Sequence, residues 1–147
     1  VVNDRAKNVI LRLRAELASV ADAVAAQLTA VADVLTERDR QEFKWGEQNH
    51  PIVGKAARRG LLAGKKECER LGIIGADEAR ERCDRAHRNG EGTYTHIIIE
   101  ELAEAIEAST ENGDASVQSR EEWVQVAAVA LAIVERIDRA RNAEGVR

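Results

Sequence analysis

Between Asp4 and Phe43 the chain contains neither glycine nor proline, and its single proline, Pro51, lies beyond that stretch. An interior proline costs a helix about 3 kcal/mol and an interior glycine about 1 kcal/mol relative to alanine. A segment so long without either reads as one long helix or two abutting ones. Apolar residues recur along it at Ile10, Leu13, Leu17, Val20, Val24, Val31 and Val34, a heptad-like a/d series broken at Gln27. Two uses fit this pattern equally well: a helix packed inside a bundle, or an arm that assembles copies of the chain.

The rest of the composition agrees with helices. Hydrophobic residues make up 44% of the 147 residues but aromatics only 3%, so the core must be built from Ala, Val, Leu and Ile. A chain of this length is enough for one compact domain with a real core. The net charge of −4, with acids and bases interleaved, gives no general attraction to nucleic acid. Cys68 and Cys83 form neither a disulfide framework nor a CxxC pair, which points to reduced thiols in a cytoplasmic protein. The longest charge-free apolar run, Trp123 to Val134, is shorter than the ~20 residues that span a bilayer. Asp4, Arg5 and Lys7 do not resemble the start of a signal peptide. No membrane and no nucleic-acid partner is expected.

The first helix should stop near Lys44, Trp45 and Gly46, with Gly46 as a C-terminal cap and Pro51 blocking continuation. Residues 51–76 are broken by five glycines, with one short helix expected around Lys65 to Leu71. Asp77 reads as the N-cap of a helix that ends before Asn89 and Gly90. Thr93 or Thr95 should cap an acidic helix reaching about Ser109, and Asn112, Gly113 and Asp114 make the next turn. A last helix should start at Ser116 or Ser119 and reach Arg141. The resulting division is a helical extension over 1–30, a helical domain over 31–141 and a tail over 142–147.

The acidic helix carries Glu100, Glu101 and Glu104 on one side. At 3.6 residues per turn, Glu104 lies about 40° and Glu101 about 100° round from Glu100. Ile98, Ile99, Leu102, Ala103, Ala105 and Ile106 fill the other side. Like charges spaced this way cost an exposed helix only about 0.2–0.5 kcal/mol, so a solvated face is a sufficient explanation on its own. The last helix weighs against it. Its Trp123–Val134 run is apolar all round except at Gln125, so other helices should bury much of it. Glu122 and Gln125 share one side of its first turns. Packed antiparallel on the acidic helix, they would face Glu101 and Glu104. Two carboxylates 4 Å apart repel by roughly 4 kcal/mol at an effective dielectric of 20, which a divalent cation would relieve. Oxygen-only ligands favour Mg²⁺ or Mn²⁺. Ser119 and Glu122 also fit a capping box, which would leave Glu122 a purely structural task.

Other constellations are weaker. Lys44, Trp45, Asn49 and His50 cluster at the first helix end, where Trp can stack on a base and Asn or His can bond its edge. A helix stop with a half-buried Trp explains them as well. Lys55, Arg58, Arg59, Lys65 and Lys66 form a basic stretch with no acid among them, suited to phosphates or simply to solvent. It lacks the spacing of a P-loop. His96 lies one turn before Glu100 and could orient that carboxylate.

Glu100, Glu101 and Glu104, followed by Glu122 and Gln125, resemble the EExxE and ExxD helices of the MazG-like all-α NTP pyrophosphatases. The likeness takes in residues 44–51, the Tyr94–Glu101 stretch and the run after Gln125, covers roughly residues 35–139, and is similar to the phage and actinobacterial branch. It implies an all-α, four-helix-bundle-type fold, usually a homodimer or homotetramer, that hydrolyses a nucleoside triphosphate to monophosphate and pyrophosphate with Mg²⁺. Carried over by position, Glu101, Glu104 and Glu122 would be metal ligands with Gln125 at the fourth place. Glu100 would act on the attacking water. Lys44, Trp45, Asn49, His50 and His96 would meet the substrate, and the branch suggests a purine deoxynucleotide. Gln125 departs from the family's Asp and offers only a neutral oxygen. Against the hydrolase stand a non-catalytic helical oligomer or nucleotide-binding protein with a degenerate site, and a dUTPase-like member of the same superfamily.

Overall fold

The computed structural model describes residues 4–47, 49–53 and 62–145. Five helices and no strand occur among them: α1 (Asp4–Trp45), α2 (Ala63–Arg70), α3 (Ala76–Arg88), α4 (Tyr94–Asn112) and α5 (Val117–Ala143). The chain is all-α, as expected. Lys55, Arg58 and Arg59 of the basic stretch, and Gln48, lie outside the described residues.

The chain divides into two compact units, one of residues 1–47 with 134–147 and the other of residues 48–133. In the first unit α1 runs unbroken through residue 30 to Trp45. Gly46, at φ 70°, then ends it and donates its N–H to the Glu42 carbonyl at 2.7 Å. Among the described residues of α1, only Ala30 is buried. It lies beside Ala26, Thr29 and Asp33, which share a cleft with Glu135, Asp138 and Arg139 of α5. The heptad stripe is therefore uncovered: Leu17 is 71% exposed and Leu28 63%. An 18-residue window within Lys7–Trp45 has a mean hydropathy of 1.4, enough by length and composition to cross a membrane. Asp22 interrupts the stretch, so it holds no charge-free run of that length.

The second unit is built around α4, with α2 and α3 packed on it. Its core consists of Cys68, Ala76, Ala79, Ala103 and Ile106, bordered by Val53, Ile73, Ile74, Leu102 and Trp123. These small side chains let helix axes come close. At Gly64 even a Cβ would lie 2.6 Å from the Glu107 Cα. Ile52 N–H donates to the Asp114 carboxylate at 3.1 Å, which ties the segment after α1 to the α4–α5 turn.

Several helix ends differ from expectation. Helix α3 starts at Ala76 with Gly75 as its cap and no side-chain bond from that residue, so Asp77 sits in its first turn and does not cap it. Glu107 of α4 does that work: its Oε1 accepts the Ala76 N–H at 2.7 Å. Helix α4 starts where Thr93 accepts the His96 N–H and continues past Ser109 to Asn112. Helix α5 is entered through Ser116, whose Oγ accepts the Ser119 N–H at 3.0 Å. Ser119 is fully buried and is no cap, which removes the capping box as the reason for Glu122. The apolar run of α5 is also less covered than its composition implies. Only Ser119 of this helix is buried, and Val124 is half exposed.

Candidate metal centre

The link between α4 and α5 is polar and buried. The Ser109 hydroxyl bonds the Ala105 carbonyl at 2.8 Å and the Ser119 hydroxyl at 2.7 Å, and accepts the Trp123 indole N–H at 2.9 Å. Trp123 is thereby held against α4, and Glu122, its neighbour, turns toward the acidic face. One carboxylate oxygen from each of Glu101, Glu104 and Glu122 lies within 4.8 Å of the other two. Glu101 and Glu104 come from α4, and Glu122 comes from α5.

The environment of this trio opposes full ionisation. Burial first, then the neighbouring Glu104, Glu100 and Glu122, hold Glu101 above the ordinary carboxylate range, with Arg80 offsetting part of the effect. Glu122 is raised by burial, then by Glu104 and Glu121. Glu101 Oε2 is buried and, among the described residues, stands alone in having no hydrogen-bond partner. A buried carboxylate oxygen left bare is costly, and a cation at the trio would satisfy it. An all-oxygen donor set from carboxylates suits a hard divalent ion such as Mg²⁺ or Mn²⁺.

Two neighbours of the trio were not foreseen from sequence in these roles. Arg80 of α3 hydrogen-bonds Glu104 through Nη2, while its Nε lies 3.6 Å from Glu100 Oε1 and its Nη1 3.7 Å from Asp77 Oδ1. The spacing of Arg80 to the acids is a tertiary one, so nothing in the local pattern of α3 announced it. Gln125 was placed as a fourth ligand. It is exposed, and its Nε2 donates to Glu122 Oε2 at 2.6 Å. The amide nitrogen is thus turned to Glu122, which leaves the Gln125 carbonyl oxygen as the atom that could meet a cation.

Glu100 stands beside the trio, paired to Arg80 and close enough to Cys83 to help raise that thiol to about 11, after burial. His96 does not reach Glu100; its Nδ1 bonds the Thr93 hydroxyl at 2.8 Å at the start of α4. It lines, with Lys65, Arg82 and Arg85, a groove of about 860 Å³ along α3. Lys44 and Trp45 belong to the first unit, where the Lys44 Nζ lies 4.6 Å from the Trp45 ring centroid. Asn49 and His50 belong to the second, in the segment before Pro51.

The chain matches no protein-family model, no curated protein and no solved structure. The residues that define the site are thus carried by its geometry: carboxylates from two helices, one of them with a bare buried oxygen, beside an arginine and an orienting amide.

Proposed function

We propose that the chain is a Mg²⁺-dependent nucleoside triphosphate pyrophosphohydrolase of the MazG-like all-α type, acting on a purine deoxynucleotide. The observation that carries this reading is the convergence of Glu101, Glu104 and Glu122 within 4.8 Å, with no hydrogen-bond partner for the buried Glu101 Oε2. The order of the motifs along the chain supports it.

In this reading Glu101, Glu104 and Glu122 hold the divalent ion, which when bound binds phosphate oxygens and makes water more acidic. Glu100, outside the trio, takes the proton of the water that attacks the α-phosphorus. The bond from that phosphorus to the bridging oxygen breaks, and pyrophosphate leaves. Arg80, already poised over the acids, neutralises charge on the departing group. Gln125 keeps Glu122 aimed.

The test is a pyrophosphate-release screen over the eight common NTPs and dNTPs, with dUTP added, in the presence of Mg²⁺. Release from at least one, abolished by Glu104→Gln, is the expected result. Inorganic phosphate as the first product contradicts the proposed bond cleavage, and a preference for dUTP moves the chain to the dUTPase-like branch. A second reading draws on Gln125 and Arg80, which between them satisfy Glu122, Glu104 and Glu100 without any ion. That is a nucleotide-binding protein or helical oligomer with a degenerate site. Nucleotide binding without turnover in the same screen selects it.

A further inference from the structure

Helix α1 presents a surface that the nucleotide reading does not use. Over residues 7–35 its exposed large apolar residues are Val9, Ile10, Leu11, Leu13, Leu17, Val20, Val24, Leu28, Val31, Val34 and Leu35, with Phe43 and Trp45 exposed beyond them at the helix end. The stripe is formed by those of residues 7–35. Apart from Leu11, all of them fall in an arc of about 120° on the helix circumference. Ala26, Thr29 and Asp33, which border the cleft with α5, lie on the opposite arc. The stripe is therefore the face that the rest of its own unit leaves uncovered.

We propose that this stripe is covered by the same stripe of a second copy of the chain, running antiparallel. Area supports a stable pairing. The ten stripe residues expose roughly 1,000 Å² per copy, so covering two-thirds of it on both sides reaches the ~1,200–1,600 Å² of a specific interface. Charge supplies the direction. Residues 4–16 hold four bases, Arg5, Lys7, Arg12 and Arg14, against Asp4 and Glu16, whereas residues 33–44 hold four acids, Asp33, Glu37, Asp39 and Glu42, against Arg38, Arg40 and Lys44. Antiparallel pairing sets the basic end of each helix against the acidic end of the other. Parallel pairing would stack like ends together. The one-sidedness argues against a bilayer as the occupant: a spanning helix is apolar all round, and here Asp22, Thr29 and Asp33 occupy the far side.

The inference is independent of catalysis and is tested on the full chain by sedimentation velocity at two salt concentrations. The expected result is a particle of twice 16.1 kDa whose dissociation constant rises at least threefold between 50 and 500 mM NaCl. Leu17→Glu with Val24→Glu should give a monomer with unchanged helical circular dichroism. Arg12→Glu with Arg14→Glu should weaken the dimer about tenfold, and adding Glu37→Lys with Asp39→Lys should restore it. A wild-type monomer at 50 μM, an unchanged mass for the Leu17/Val24 variant, or a tighter dimer when one end alone is inverted each overturns the proposal. Monomer that co-sediments with phosphatidylcholine vesicles assigns the stripe to lipid instead and also overturns it.

Discussion

Gln125 donates its amide proton to Glu122 Oε2 at 2.6 Å, one helical turn away on α5. That bond consumes one lone pair of a carboxylate facing Glu101 and Glu104 and fixes which oxygen is left for anything else. It also sets the outcome of an informative substitution. Gln125→Asp exchanges a donor for a fourth carboxylate, so the chain without metal loses stability while Mn²⁺ affinity rises about tenfold, equivalent to ~1.4 kcal/mol. Isothermal titration with Mn²⁺ measures this, and unchanged affinity would mean that the trio does not bind the ion.

Arg80 competes for the same oxygens. Its guanidinium bonds Glu104 and sits near Glu100 and Asp77, and each of these holds it more firmly protonated than usual, Glu104 most of all. A built-in cation that holds Glu104, one of the trio, must yield some of its contact to a divalent ion. Arg80→Ala is expected to tighten Mn²⁺ binding about fivefold while lowering turnover of any nucleotide substrate. Weaker Mn²⁺ binding in that variant would show that Arg80 organises the carboxylates and does not compete with the ion.

The raised carboxylates make a pH prediction with a definite sign. Between the unfolded value of 4.5 and its raised folded value, Glu101 holds more protons in the native state than in the unfolded one, so stability falls as pH rises through that window. Below 4.5 the penalty is absent, and above the folded value it is fully present. Glu101→Gln removes it. Without metal, the variant should melt with the wild type near pH 4 and about 2–4 °C above it at pH 7.5. With 5 mM Mg²⁺ the wild type should gain stability and the variant should not. Differential scanning calorimetry across pH reads both effects.

Ser109 joins α4 to α5 through a single oxygen. Replacing it with alanine leaves the Ser119 hydroxyl and the Trp123 indole N–H facing an apolar gap, which costs about 2–4 kcal/mol. Urea unfolding followed by Trp123 fluorescence should show this loss, and the Mn²⁺ affinity should fall with it as Glu122 drifts. A loss of less than 0.5 kcal/mol would show that water replaces the missing oxygen easily.

How legible all this was in the sequence depended on distance along the chain. Gly46 and Thr93 act on their own helix ends, and their roles could be read locally. The α3 start could not, since the group that caps it is Glu107, thirty-one residues away, and Asp77 merely stood in the expected place. Glu122 was found through helical periodicity and a guess of antiparallel packing, but Ser119 and Ser116 offered two equivalent starts until burial separated them. The bond from Gln125 to Glu122 could not be read in advance, because periodicity reports direction and not whether an amide turns its nitrogen or its oxygen. Spacing aims His96 at Glu100, whereas its ring nitrogen pairs with the nearer Thr93 hydroxyl. Composition overestimated how much of α5 its own chain would bury.

The close meeting of α2 and α4 at Gly64 has a consequence for how this protein can change. Where most contacts between helices relax under substitution by shifting a rotamer, this one is backbone against backbone, and Glu107 on the other side also carries the cap of α3. Position 64 is thus a bottleneck for sequence drift. A saturation library selected for folded protein should return wild type there almost alone, while Lys65 and Lys66 beside it vary freely. Relatives too diverged for their carboxylate motifs to be aligned should still share that glycine, spaced the same way before the acidic helix.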